Sequence, residues 1–189
     1  MQDLPTFYAP NRQAWREWLL ENHAKEANIW LILYKKDSKT PSITYSEAVD
    51  EAICFGWIDS TVKKRDEQSR VQYFTKRKPK STWSRVNKEK VDKLTEAGLI
   101  HESGQAVIDF AKQTGSWNAL DDVENLILPE DLKEALEANI TAKGYFEAFP
   151  RSAKRMILNW LQTAKQTATR QKRISKIITS AERNERATQ

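Results

Sequence analysis

Two stretches of this chain carry positive charge with no acid among them. Residues 70–88 hold Arg70, Lys76, Arg77, Lys78, Lys80, Arg85 and Lys88, and residues 151–176 hold Arg151, Lys154, Arg155, Lys165, Arg170, Lys172, Arg173 and Lys176. Setting these 15 cations aside leaves 16 bases against all 26 Asp and Glu, so the chain reads as an acidic body carrying two basic segments. A helix stabilised by solvation alone gains from mixing signs at i,i+4 spacing, and these segments do not mix them. Like charges gathered on one face repel unless body acids or a bound anion answer them.

The first segment has the parts of an anion pocket. Arg77 and Lys80 flank the Pro79-restricted loop, Ser81 and Ser84 offer hydroxyls, and Trp83 offers a stacking face. The loop runs into a predicted helix N-terminus, whose free N–H groups favour negative charge. In the second segment Lys165, Arg170 and Arg173 lie beside a predicted apolar stripe. The expectation is one composite basic groove between two modules, holding Arg77, Lys80, Lys165, Arg170 and Arg173 with Trp83 near its floor. Arginine would grip a phosphate by its two-pronged fork and lysine as a point charge.

Other single residues weigh less. Asp59, inside Trp57-Ile58-Asp59-Ser60, is an unusual carboxylate for a strand interior; it reads as a partner for an arginine, or as a general base or ligand-orienting acid. Cys54, between Ile53 and Phe55, reads as a packing thiol. One cysteine permits no internal disulfide and no cysteine zinc cluster. His23 and His101 stand 78 residues apart, outside any metalloprotease spacing, and the five glycines form neither a phosphate loop nor a dinucleotide fingerprint. No cofactor and no metal are expected. No apolar run reaches the ~18–20 residues of a membrane span, and Met1–Pro5 does not read as a signal peptide, so the expected location is the cytoplasm.

The elements that must position these residues follow from periodicity. Asn11 caps a helix reaching about His23, with Ala14, Trp15, Trp18 and Leu19 on one face. Ile29–Tyr34 is a strand buried on both sides. Thr44-Tyr45-Ser46-Glu47 has the capping-box pattern and opens a helix that stops near Gly56. Residues 57–62 and 71–75 form an antiparallel hairpin, and helices follow Ser84 and span about 103–113. The fold class is α+β: a small antiparallel three-stranded sheet with helices over residues 1–115, a linker at 116–128, and an all-α module at 129–189 packed onto the first. A module of about 60 residues makes a marginal core, so Met156, Trp160, Ile174 and Ile178 are expected to join one continuous core. The polar end, 180–189, is expected to fray.

Cys54-Phe55-Gly56-Trp57-Ile58-Asp59 and Phe74-Thr75-Lys76-Arg77-Lys78-Pro79-Lys80-Ser81-Thr82-Trp83-Ser84-Arg85-Val86-Asn87 resemble the N-terminal signature of the YdeI/OmpD-associated, or bacteriocin-protection, family. Arg151-Ser152-Ala153-Lys154-Arg155, Gln162–Lys165 and Thr169–Ile174 are similar to its helical C-terminal module. The resemblance runs from about residue 8 to 180. It implies a bacterial protein linked to envelope stress or to protection from antibacterial peptides, with a porin-related partner suggested by the family name, and it supplies no reaction or catalytic set. Three functions are weighed: a non-enzymatic module binding a phosphate-bearing anion or an acidic partner surface; a nucleic-acid binder stacking bases on Trp83, Tyr73 and Phe74; and an enzyme with Asp59 as acid or base and Arg77 or Lys80 clamping an anionic substrate.

Overall fold

The computed structural model describes residues 5–187. By internal contacts the chain divides between Asn118 and Ala119 into two units, each with its own hydrophobic cluster.

The first unit runs β1 (Thr6–Tyr8), α1 (Arg12–Asn22), β2 (Asn28–Tyr34), α2 (Tyr45–Cys54), β3 (Trp57–Lys64), β4 (Ser69–Lys76), α3 (Arg85–Glu96) and α4 (Glu102–Gln113). Its sheet has the order β1-β2-β4-β3. The class is α+β, but the sheet is four-stranded and mixed rather than three-stranded and antiparallel. The added strand, β1, pairs in parallel with β2 through Thr6–Trp30, Phe7–Leu31 and Tyr8–Ile32. Three residues between Pro5 and Pro10 are too few to show an alternating pattern. A parallel neighbour also needs a crossover, which the 11 residues of α1 provide.

β2 is the central strand and is buried from Ile29 to Leu33. It pairs antiparallel with β4, Ile29 opposite Phe74 and Tyr34 opposite Ser69. The β3–β4 hairpin carries a bulge between Asp59 and Val62, which turns the strand locally and re-aims side chains there.

α1 starts where Asn11 accepts the Ala14 N–H at 2.9 Å, and it buries Trp15 and Leu19. The indole of Trp15 donates to the Ala48 carbonyl at 3.1 Å, tying α1 to α2. The capping box of Thr44 and Glu47 opens α2, and those hydrogen bonds hold the Glu47 carboxyl below its usual range. Glu51, 1% exposed, bridges α2 to α1 through Arg12 Nε at 2.5 Å and Arg16 Nη1 at 2.6 Å. Gly104 lets α4 cross the end of α2, since a Cβ there would lie 2.1 Å from the Cys54 carbonyl oxygen.

The second unit comprises α5 (Asp121–Glu124), α6 (Glu130–Glu137), α7 (Ile140–Ala148), α8 (Arg151–Gln162) and α9 (Thr167–Glu182). Leu132, Leu136, Phe146, Ile157, Leu161 and Ile177 centre its hydrophobic cluster. The inward face of α8 is Ala153, Ile157, Leu158 and Leu161. Met156 is 47% exposed, and Trp160, Ile174 and Ile178 sit half-buried against the unit's cluster. The chain end is more ordered than its composition suggests: α9 reaches Glu182 and Ala187 is buried. Thr188 and Gln189 of the expected frayed end lie outside the described residues. Among the described residues no helix is long and apolar enough to cross a membrane, and no group of three or more His, Cys, Asp and Glu could hold a metal.

Candidate anion-binding sites

The loop after β4 places Arg77 inside the first unit rather than on a rim. Its backbone N–H donates to the Gly56 carbonyl at 3.0 Å, and its side chain is 6% exposed. Nη1 donates to the Thr82 carbonyl at 2.9 Å, and the guanidinium carbon lies 3.6 Å from the centroid of Trp83. Nε and Nη2, and Nε1 of Trp83, are buried without a hydrogen-bond partner. Burial pushes the Arg77 pKa down to about 10, with the charge of Asp59 acting in the opposite sense. A buried donor left unmade costs about 1–3 kcal/mol, so three at one place stand out. Arg77, Lys78, Ser81 and Trp83 line a cavity of about 200 Å³ together with Pro79 and with Ala106, Val107, Phe110 and Ala111 of α4. Lys80 is exposed and does not line it, and the Ser84 hydroxyl is occupied as the α3 cap, accepting from Asn87 N at 3.3 Å.

Asp59 belongs to a hydrogen-bonded cluster. Its Oδ2 accepts from the Tyr45 hydroxyl at 2.8 Å and from Gln72 Nε2 at 3.2 Å. Burial first, then the bond to Asp59 and its negative charge, push the Tyr45 pKa up to about 12. That tyrosine remains a donor at neutral pH, and Asp59 positions it.

The three candidates from the second basic segment lie in the second unit, where Arg170 and Arg173 find partners. Arg170 forms a two-pronged pair with Asp131, Nε to Oδ2 at 2.5 Å and Nη2 to Oδ1 at 2.8 Å. That pair holds the Asp131 carboxyl below its usual range. Arg173 donates to Thr163 Oγ1 at 2.7 Å and lies 5.0 Å over the Trp160 ring, with Lys176 at 5.5 Å. Lys165 is exposed. Arg170 thus has its counter-charge within its own unit.

Sequence reading passed over a larger concavity. A cleft of about 1120 Å³ opens between the 35–46 segment and the tip of the β3–β4 hairpin. Five cations line it, Lys35, Lys36, Lys39, Lys64 and Arg70, against two carboxylates, Asp66 and Glu67. Both carboxylates are already engaged. Glu67 pairs with Lys64, while Asp66 accepts the Gln68 and Ser69 N–H groups at 2.8 and 2.7 Å and sits 3.5 Å from Arg65. These turn hydrogen bonds hold the Asp66 carboxyl below its usual range. Among the described residues Lys35, Lys36, Lys39 and Arg70 form no ion pair. Tyr34 and Tyr45 supply aromatic surface, and the Arg70 guanidinium lies 5.9 Å from the Tyr45 ring. Through Tyr45 the cleft adjoins Asp59. The three lysines were readable in Lys35-Lys36-Asp37-Ser38-Lys39, but counting placed them in the acidic body.

Residues 7–107, just over half of the chain, match the family described as a domain of unknown function, DUF8412. The chain belongs to that family. The 1120 Å³ cleft and the 200 Å³ cavity of this DUF8412 member are both lined by residues of the first unit. Residues 125–184 match the family described as "Bacteriocin-protection, YdeI or OmpD-Associated", the one the sequence resembles, over that part of the chain only. The motifs at 54–59 and 74–87 fall in the DUF8412 match instead. No curated protein and no solved structure matches the chain.

Proposed function

We propose that this chain is a non-enzymatic binding protein whose first unit takes a phosphate-bearing ligand in the cleft between residues 35–46 and the β3–β4 hairpin. The observation that carries the reading is four cations, Lys35, Lys36, Lys39 and Arg70, that form no ion pair among the described residues and line a cleft of about 1120 Å³. That is a generous volume for a metabolite-sized ligand. Phosphate oxygens suit point-charge lysines and the forked guanidinium, and Tyr34 and Tyr45 suit a ring attached to the phosphate. The reading needs nothing from Arg170, which Asp131 already neutralises. The family description matched at residues 125–184 supports a link between this binding step and bacteriocin protection. An envelope or porin-related partner stands on that description alone.

Thermal unfolding in inorganic pyrophosphate, against sodium chloride of equal ionic strength, tests it. Pyrophosphate is expected to raise Tm for the wild type, because a ligand that binds only the native state stabilises it. The variant carrying Lys35→Ala, Lys36→Ala and Lys39→Ala, three exposed positions, keeps its own Tm and loses the increment. Equal shifts in pyrophosphate and chloride would overturn the reading. Single-stranded oligonucleotides bound more tightly than pyrophosphate or ADP would move the assignment to nucleic acid, since Lys-lined aromatic surface also serves bases.

A further inference from the structure

Arg77 is a cation without a counter-ion. It is almost wholly buried, it forms no ion pair among the described residues, and two of its three nitrogens have no acceptor. Its remaining contacts, the Thr82 carbonyl and the Trp83 face, satisfy one N–H and part of the charge. Buried charges are ordinarily paired. The carboxylate whose charge it feels, Asp59, already accepts from Tyr45 and Gln72. The Trp83 Nε1–H beside it is unmet as well. The same two side chains line the 200 Å³ cavity together with Lys78 and Ser81, and Pro79, Ala106, Val107, Phe110 and Ala111 supply apolar surface. Unmet donors beside apolar side chains in one cavity suit a ligand with two ends.

We propose that this cavity is a second binding site, for a small organic acid whose carboxylate pairs with Arg77 and whose apolar body lies against Val107 and Phe110. The cavity holds about as much volume as six or seven waters in the liquid, which limits the body to roughly one ring or a short chain. A carboxylate accepts two parallel N–H bonds from a guanidinium fork, and Nε with Nη2 is such a fork left open. Both nitrogens are closed to solvent in this conformation. The guanidinium therefore turns off the Trp83 face toward the cavity as the acid enters, and the environment of that indole changes with it. The site shares no lining residue with the 35–46 cleft, so either can fail without the other.

The test is a titration of the full chain with benzoate, followed by the indole N–H resonances in NMR, with the Trp83 signal assigned from Trp83→Phe. Benzyl alcohol is the neutral isostere and inorganic phosphate the anion without a body. Benzoate is expected to shift the Trp83 resonance saturably, with benzyl alcohol and phosphate each at least tenfold weaker. Arg77→Met removes the response. Ala106→Phe, at an exposed position on the cavity wall, fills the space without touching the core and removes it too, which decides the matter even if the Arg77 variant does not fold. The Lys35, Lys36 and Lys39 triple variant retains it. A Trp83 resonance indifferent to benzoate, an equal response to benzyl alcohol or to phosphate, or undiminished benzoate binding by Ala106→Phe would each overturn the proposal.

Discussion

At the scale of single residues, environment decides role. Asp59 was legible as an odd carboxylate in a strand, but its partner was not: Tyr45 lies fourteen positions away, across a helix and a turn. The bond makes a pH prediction. The Tyr45 pKa rises from 10.0 to about 12 on folding. A group whose native pKa is raised adds stability that is fully present below its unfolded value, and that stability is lost as pH climbs through the native one. Ultraviolet titration of the phenolates is expected to show one of the five tyrosines ionising near pH 12. Tyr45→Phe deletes that late step, and Asp59→Asn moves it only part of the way back toward 10, because it removes the negative charge while the burial remains. A late step that survives Tyr45→Phe would assign it elsewhere. Glu51 makes a prediction of a different kind. Removing a carboxylate that two guanidiniums share leaves both charges uncompensated. Glu51→Ala is expected to cost about 3 kcal/mol in urea unfolding, the lower part of the buried-pair range, because Arg12 and Arg16 keep 38% and 23% exposure to water. His23 and His101 show the limit of reading along a chain. They stand 78 residues apart in sequence, yet their rings meet at 4.9 Å.

At the scale of elements, most of the first unit was readable because local rules and tertiary packing agree. The Asn11, Thr44 and Ser84 caps all form as their residue types dictate. What was missed was short or non-local. β1 has three residues and earns its place only by pairing with β2. The 35–46 loop becomes a cleft wall only because the hairpin tip comes to face it. On α8 the apolar stripe Met156, Ile157, Trp160 and Leu161 is buried at Ile157 and Leu161, while Met156 is exposed and Trp160 only partly buried. Two glycines separate packing from propensity. At Gly104 an added methyl meets the Cys54 carbonyl, and at Gly144, inside α7, it meets nothing within 4 Å. Gly104→Ala is expected to destabilise by about 3 kcal/mol, the upper end for overpacking, since backbone and not a flexible side chain must yield. Gly144→Ala is expected to stabilise by about 0.5–1 kcal/mol through helix propensity. Denaturant midpoints of the two variants should move in opposite directions, and a shared direction would mean that the α2–α4 crossing is looser than drawn.

At the scale of the molecule, net charge and local charge make different demands on an anion. The chain carries +5 overall, a field that draws any anion weakly and from all sides. The cleft concentrates four cations that form no ion pair among the described residues near the end of β2 at Tyr34, while Lys25 precedes the other end of the strand, where Asn28 faces Thr75. Seven strand residues span about 20 Å, more than two Debye lengths of about 8 Å at physiological ionic strength. Lys93, on α3, is likewise exposed and outside the cleft lining. Two double variants, Lys35→Ala with Lys39→Ala and Lys25→Ala with Lys93→Ala, therefore lower the net charge equally but at different places. Calorimetric titration with pyrophosphate from ~0.05 to ~0.5 M sodium chloride should weaken binding steeply for the wild type, because each lysine contact is screened within about 10 Å at 0.1 M salt. The Lys25 and Lys93 variant should keep the wild-type affinity within about twofold, since neither lysine lines the cleft and exposed charges away from the ligand are screened by salt. The Lys35 and Lys39 variant should lose about tenfold at low salt and show a shallower salt dependence, as two point charges leave the phosphate. If the two variants weaken binding alike, the anion follows the overall field, and the cleft at residues 35–46 is a solvated surface.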